Sequence, residues 1–269
     1  MSAFSHRVHN WYKRNAARPL FRNLANLQPA EPVISFSFDD FPRTALRVAG
    51  QILKEEGLTG TYFVSLGLVG KDSPSGKICT EEDVVETFSQ GHELGSHTFS
   101  HCHSWDTDSV TYERSLIENQ DALGRLIPGA SFRTFAYPIS LPNPRSKRAC
   151  ARHFECSRGG GQTYNLGTTD LNQLSAFFLE KTADNVERVK EIIDKNNSAG
   201  GWLILATHDV TASPSTYGCS PEFFKNVVRY ARSSGARILP VISALNLSLG
   251  RPSELATLKS RTGERGPEV

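Results

Sequence analysis

The run Trp202-Leu203-Ile204-Leu205-Ala206-Thr207 is almost wholly apolar. A strand with one wet face alternates polar and apolar residues, whereas a strand covered on both faces reads as an unbroken apolar run. Val33-Ile34-Ser35-Phe36-Ser37-Phe38 and Thr61-Tyr62-Phe63-Val64 are further strands rich in β-formers. Between such runs lie segments of helical spacing. Ala45, Leu46, Val48, Ala49, Ile52 and Leu53 follow Pro42, and Val186, Val189, Ile192 and Ile193 share one face of a helix over Ala183 to Asn196. Strands that alternate with helices at this spacing predict a parallel sheet with helical crossovers, which closes fully or partly into an α/β barrel. A chain of 269 residues is long enough for one such barrel.

The remaining punctuation fits this plan. Thr80-Glu81-Glu82-Asp83 reads as a capping box that opens a helix to about Gln90, stopped by Gly91. His92 to Ser96 is a short strand. Asp108 or Ser109 caps a long helix to about Ile127, and Phe132 to Tyr137 is a strand ended by Pro138. A helix follows Pro144, then a short strand over His153 to Cys156. Lys71 to Lys77 reads as a loop, and Gly159-Gly160-Gly161 opens a longer one through Asp170. Ala176 to Leu179 is a strand, Ser220-Pro221 starts a helix to about Ser234, and Arg237 to Val241 is the last strand. The expected organisation is a basic N-terminal arm over residues 1–30, a barrel over 31–250 and a loose tail over 251–269. Phe4, Val8 and Trp11 stand at helical spacing within the arm.

Composition removes several function classes. A formal net charge of +2 gives no reason to expect a nucleic-acid partner. The five cysteines are odd in number and form no CxxC, so reduced thiols are the simpler reading. No run is long and apolar enough to span a bilayer, and the N-terminus lacks the apolar core of a secretory signal. A cytoplasmic location follows as the expectation, with export by another route left open. No Gly-rich phosphate fingerprint follows the first strand.

The chemistry is carried by Ser96-His97-Thr98-Phe99-Ser100-His101. If this is one helical turn, the two imidazoles lie on one face and close on one metal ion. Asp39-Asp40, just after the first strand, offers a third ligand, and two histidines with one carboxylate form a common metal site with open positions. An isolated HxxxH is more often an ordinary pair of histidines, and Asp-Asp is an ordinary post-strand turn. Here, however, Asp39, Asp40, Pro138 and His208 all stand at carboxyl ends of predicted strands, where α/β barrels place their catalytic groups.

Ser37-Phe38-Asp39-Asp40, His97-Thr98-Phe99-Ser100-His101, Phe135-Ala136-Tyr137-Pro138 and Leu203 to Asp209 resemble, in order, the motifs of the polysaccharide deacetylase family, also called the NodB homology domain or carbohydrate esterase family 4. The resemblance runs from about Val33 to Val241. It implies a distorted (β/α) barrel with fewer than eight regular strands. It also implies that Asp40, His97 and His101 hold a divalent metal, usually Zn2+, with Asp39 as general base and His208 as general acid. Tyr137, Pro138 and Ile139 would form the oxyanion and substrate edge, the Ile139 N–H pointing at the developing charge. The implied reaction removes acetyl groups from an N-acetylated saccharide. An O-acetyl esterase, an amidase acting on a small C–N bond and a catalytically silent saccharide-binding module are the alternatives, the last disfavoured because Asp39 and His208 are both present. The oligomeric state is not legible.

Three departures from the family pattern bear on the site. Many members carry an arginine two residues before the third-motif proline, where this chain has Ala136; Arg133 is the nearby substitute. The usual glycine is Ser140, and the Asp-x-x-Asp-Trp motif that orients the acid histidine is missing, leaving Asp184 as a candidate. The glycine-rich segment Ser157 to Asp170 is expected to line or cover the cleft.

Overall fold

The computed structural model describes residues 12, 13 and 15–251. The helix expected around Phe4, Val8 and Trp11 and the tail beyond Arg251 lie outside the described residues. The strands are β1 (Leu24–Leu27), β2 (Val33–Phe38), β3 (Thr61–Val64), β4 (Asp72–Ser73), β5 (Gly76–Lys77), β6 (Glu93–Ser96), β7 (Thr134–Ala136), β8 (Cys156–Arg158), β9 (Gly167–Asp170), β10 (Phe177–Phe178), β11 (Trp202–Thr207) and β12 (Arg237–Ile238). The helices are α1 (Gln51–Glu55), α2 (Glu81–Ser89), α3 (Ser109–Leu126), α4 (Pro144–His153), α5 (Val186–Ala199), α6 (Pro221–Ser233) and α7 (Val241–Ser248).

Seven parallel strands lie side by side in the order β10-β11-β2-β3-β6-β7-β8, and β12 also pairs with β2. The sheet curls into a distorted barrel. A parallel bridge links Arg158 at the end of β8 to Leu174, in the segment that leads into β10. Every residue of β2 and β11 is buried, as their composition requires. Their side chains alternate between two apolar layers. Ile34, Phe36, Phe38, Leu203 and Leu205 pack with Tyr62, Val64 and Phe224. Val33, Trp202, Ile204 and Ala206 pack with Phe63, Val241 and Leu245. Each such fully buried side chain contributes about 1.5–3 kcal/mol. The two serines of β2 fit this dry setting because both are bonded: Trp202 Nε1–H donates to Ser35 Oγ at 3.0 Å, and Ser37 Oγ donates to the Leu205 carbonyl at 3.2 Å. Gly95 is required by packing, since a Cβ there would lie 2.4 Å from the Phe63 ring.

Several boundaries differ from the sequence reading. Thr80 does form a capping box with Asp83, and Asp108 caps α3. The strand expected at His153 to Cys156 instead starts at Cys156, because α4 continues to His153. The loop after Lys71 is the β4–β5 hairpin. The loop from Gly159 ends in β9, which pairs antiparallel with β1 from Leu24↔Asp170 to Leu27↔Gly167. The strand expected to reach Val241 stops at Ile238, and Pro240 leads into α7, a helix the sequence reading did not anticipate.

Candidate active site

Asp39 directly follows β2, and its N–H donates to the Thr207 carbonyl at 2.9 Å, so the sheet still fixes its backbone. The chain then turns sharply. Asp40 and Phe41 take φ of 59° and 51°, a left-handed bend that Asp adopts more readily than most residues. The bend lets both neighbouring carboxylates face one cleft. The β4–β5 hairpin holds the second, with the buried Ser75 Oγ donating to Asp40 Oδ2 at 2.9 Å.

The histidine segment is not a helical turn. Thr98 and His101 have φ of 61° and 52°, and no helix spans them. A loop does the same work. Ser115 Oγ on α3 accepts from the Phe99 and Ser100 N–H groups at 2.9 and 3.2 Å, and Thr98 Oγ1 accepts from Cys102 N–H at 2.8 Å. The two imidazole centroids end 5.0 Å apart. Asp40, His97 and His101 offer ligand atoms that all lie within 4.8 Å of one another.

The donor set fits a cation. His97 Nδ1 lies 2.8 Å from the Ala136 carbonyl, which only accepts, so Nδ1 carries the hydrogen. In the neutral ring Nε2 is then a bare lone pair, 3.5 Å from Asp40 Oδ1. Burial, which outweighs its acidic neighbours, lowers the His97 pKa and favours that neutral form. His101 Nε2 is 3.1 Å from the same oxygen, and this Oδ1 is buried with no hydrogen-bond donor. Burial pushes the Asp40 carboxyl up, but the adjoining His101 and His97 outweigh it and hold the group far below the usual carboxylate range. An ionised oxygen and an imidazole lone pair facing each other is the arrangement a metal ion satisfies.

Asp39 has a different environment. It is 3% exposed and ion-paired with Arg158, itself 1% exposed. Burial raises its pKa, but Arg158, then His97 and His208, lower it by more, so the carboxylate stays ionised. The arginine missing at Ala136 is therefore supplied from the end of β8. Arg133, the substitute suggested by the sequence, instead pairs with Glu155 at 2.6 Å. The sequence reading missed Arg158 because it ended the strand at Cys156. Extended by two residues, the strand would have placed Arg158 at the same strand-end position as the other site residues.

His208 follows β11, half-buried, with Nδ1 3.1 Å from the Tyr217 carbonyl, between the rings of Phe178 and Tyr217. Asp184 does not orient it, since its carboxylate accepts from Ser220 N–H at 3.1 Å. Ile139 and Ser140 line the cleft with φ of 53° and 59°. A β-branched residue held left-handed costs about 1–2 kcal/mol, a strain typical of functional sites. Tyr137 departs from its expected place. Its ring is fully buried, its OH donates to the Asn172 carbonyl at 3.0 Å, and it is not among the residues that line the cleft. Pro138 is buried behind that edge.

The cleft has a volume of about 480 Å³. Glu180, unforeseen from sequence, lines it from the helical turn after β10. Its Oε2 is buried without a partner, and burial, aided by the charge of Asp39, pushes its pKa up to about 7. No residue of the segment Ser157 to Asp170 lines the cleft, though Arg158 reaches Asp39 from behind the lining. Its glycines serve packing: a Cβ on Gly161 would lie 2.6 Å from Ser175 Oγ.

A profile described as polysaccharide deacetylase matches residues 26–154. No curated protein matches the chain. Among solved structures, the chitin deacetylase of the fungal pathogen Colletotrichum lindemuthianum is 15% identical with a TM-score of 0.58, covering 85% of this chain and 92% of its own. A family 4 acetyl xylan esterase from Clostridium thermocellum, in complex with a cobalt ion, is 19% identical with a TM-score of 0.57, covering 82% and 93%. A family 4 carbohydrate esterase from Streptomyces lividans, in complex with acetate, is 15% identical with a TM-score of 0.57, covering 82% and 98%. Identities this low show a common fold. The profile spans the strand ends that carry Asp39, Asp40, His97 and His101, so residues 26–154 match the polysaccharide deacetylase family, and the fold agrees with solved family 4 carbohydrate esterases along most of the chain.

Proposed function

We propose that the chain is a metal-dependent hydrolase that removes acetyl groups from an N-acetylated saccharide. The observation that carries this reading is the pairing of a cation-shaped gap, Asp40 Oδ1 against His97 and His101 Nε2, with a separate ionised carboxylate, Asp39. Bound between Asp40, His97 and His101, a divalent cation such as Zn2+ supplies Lewis acidity toward an acetyl carbonyl and lowers the pKa of water. Asp39 takes the proton of the attacking water on its carboxylate, and Arg158 keeps that carboxylate ionised until then. His208, with Nδ1 held by the Tyr217 carbonyl, presents Nε2 to the departing nitrogen and delivers a proton there. The strained Ile139 turns its N–H toward the carbonyl oxygen, where such a donor contributes roughly 3 kcal/mol. A cleft of about 480 Å³ suits one or a few sugar units.

Acetate release from N-acetylated chitooligosaccharides and from O-acetylated xylan, with and without chelator, tests the reading. The expected result is release that stops on chelation and returns with Zn2+. Asp39→Asn should keep the metal and lose roughly 10²–10⁴ in rate, whereas Asp40→Ala should lose the metal first. His208→Ala should slow the amide more than the ester. A protein that binds no divalent metal after reconstitution and releases no acetate from either substrate would overturn it.

A further inference from the structure

Away from the cleft, an open groove of about 650 Å³ runs between α3 and α4. Arg114 comes from α3, and Arg145, Arg148 and Arg152 come from α4. All four are exposed. Glu113 neutralises Arg152 at 2.5 Å, but among the described residues no carboxylate pairs with Arg114, Arg145 or Arg148. Four arginines against one glutamate concentrate in this groove more positive charge than the net +2 of the whole chain.

The same groove exposes apolar side chains. Val110 is 66% exposed, Ile117 46% and Phe21 44%, and Arg148 lies over the Phe21 ring at 5.6 Å. The spacing is helical on both sides. Val110, Arg114 and Ile117 stand on one face of α3, and Arg145, Arg148 and Arg152 on one face of α4. Helix α4, which supplies three of the arginines, begins at Pro144, four residues after Ser140 of the cleft lining.

We propose that this groove docks the protein on a membrane surface rich in anionic phospholipid. Cations and large apolar side chains on one solvent-facing strip are what an interface of headgroups and acyl chains recognises. A nucleic acid or a soluble anion would satisfy the arginines but leave Val110, Ile117 and Phe21 in water. The chain's own ends are poor occupants by charge. Residues 1–11 carry Arg7, His6 and His9 with no acid, and residues 252–269 balance Glu254, Glu264 and Glu268 against Lys259, Arg261 and Arg265. Among the described residues no helix is long and apolar enough to cross a membrane. Docking through the groove would hold the cleft rim beside a saccharide at that surface.

Cosedimentation of the full chain with vesicles tests this, comparing phosphatidylcholine alone with an equal mixture of phosphatidylcholine and phosphatidylglycerol. The parent should bind the anionic vesicles only. Arg145→Gln with Arg148→Gln should weaken binding by roughly five-fold per charge, about thirty-fold for the pair. Val110→Ser with Ile117→Ser should weaken it further at high salt, where the charges are screened. These side chains are exposed, so circular dichroism and acetate release from a soluble oligosaccharide should match the parent. Absence of anionic-vesicle binding would overturn the proposal, as would parent-like binding by both double variants. Retention of duplex DNA in place of vesicles, lost in the arginine variant, would reassign the groove to a polyphosphate.

Discussion

Replacing Arg158 by methionine isolates the role of the buried ion pair. Methionine keeps an unbranched apolar stem but loses the guanidinium and its charge. Asp39, 3% exposed, is then left as a buried carboxylate without its partner. Breaking such a pair costs roughly 3–5 kcal/mol. Arg158 binds Asp39 through Nη2 alone, and its Nε and Nη1 are buried without partners. Their removal relieves a desolvation cost, which places the expected loss near the lower end, about 3 kcal/mol. The guanidinium also lies 4.5 Å over the Phe63 ring, a contact that methionine replaces with packing. Urea unfolding of chelator-treated protein, read as a midpoint shift at constant slope, measures the loss. The Asp39 pKa is lowered in the folded state, so the pair stabilises above the ordinary aspartate value of 3.8 and is lost as pH falls through the lower folded value. The gap between parent and variant should therefore shrink in acid. Asp39→Asn combined with Arg158→Met should recover most of the stability. If the double variant were as unstable as Arg158→Met alone, the uncompensated carboxylate would not be the cause and the reasoning would fail.

Other outcomes follow from the same geometry. Glu180 has a folded pKa raised to about 7 from an ordinary 4.5, so it costs stability as pH rises between those values. Glu180→Gln should then be neutral near pH 4 and stabilising above pH 7 by up to about 3 kcal/mol in denaturation curves; equal stability at both pH values would contradict this. Ser75→Ala removes the hydrogen bond that fixes Asp40 and should weaken metal affinity roughly 10–100-fold in competition with a chromophoric chelator; unaltered affinity would show the hairpin to be dispensable. Gly95→Ala forces a Cβ against the Phe63 ring and should cost about 1–3 kcal/mol, read as a lower melting temperature; a parent-like melt would show that Phe63 shifts freely.

The convergence of Asp40, His97 and His101 was legible because metal ligation would select residue types that local spacing displays, and because strand ends in an α/β sheet converge. Asp39, Asp40 and His208 all follow strands that their apolar runs reveal. The conformation of the histidine segment was not legible. His97 and His101 meet through a left-handed loop pinned by Ser115, a residue fourteen positions beyond His101. Arg158 was hidden for a related reason. Its partner lies 119 positions away, and the register of β8 is set by pairing with β7 and by the bridge to Leu174 rather than by its own composition. Strand β9 escaped because Gly167-Thr168-Thr169-Asp170 has little apolar content and is ordered by pairing with β1. Helix α7 escaped because Val241 to Ser248 is apolar on most sides, a composition that suits a strand as readily as a buried helix.

The position of β2 has a consequence for how the molecule assembles. It is among the first strands to leave the ribosome, yet it lies between β3 and β11, and its bond from Ser37 to Leu205 spans 168 positions. Until residues 202–207 are synthesised, one backbone edge of this fully buried strand has no β11 partner, a template for pairing with another chain. Closing so long a connection is paid in chain entropy before the contact returns anything, which makes late docking of β11 a slow step. His208 arrives with that same strand. The proposed general acid is therefore seated only when the sheet's vulnerable edge is covered, and a chain stalled before Trp202 would lack it and be prone to aggregate.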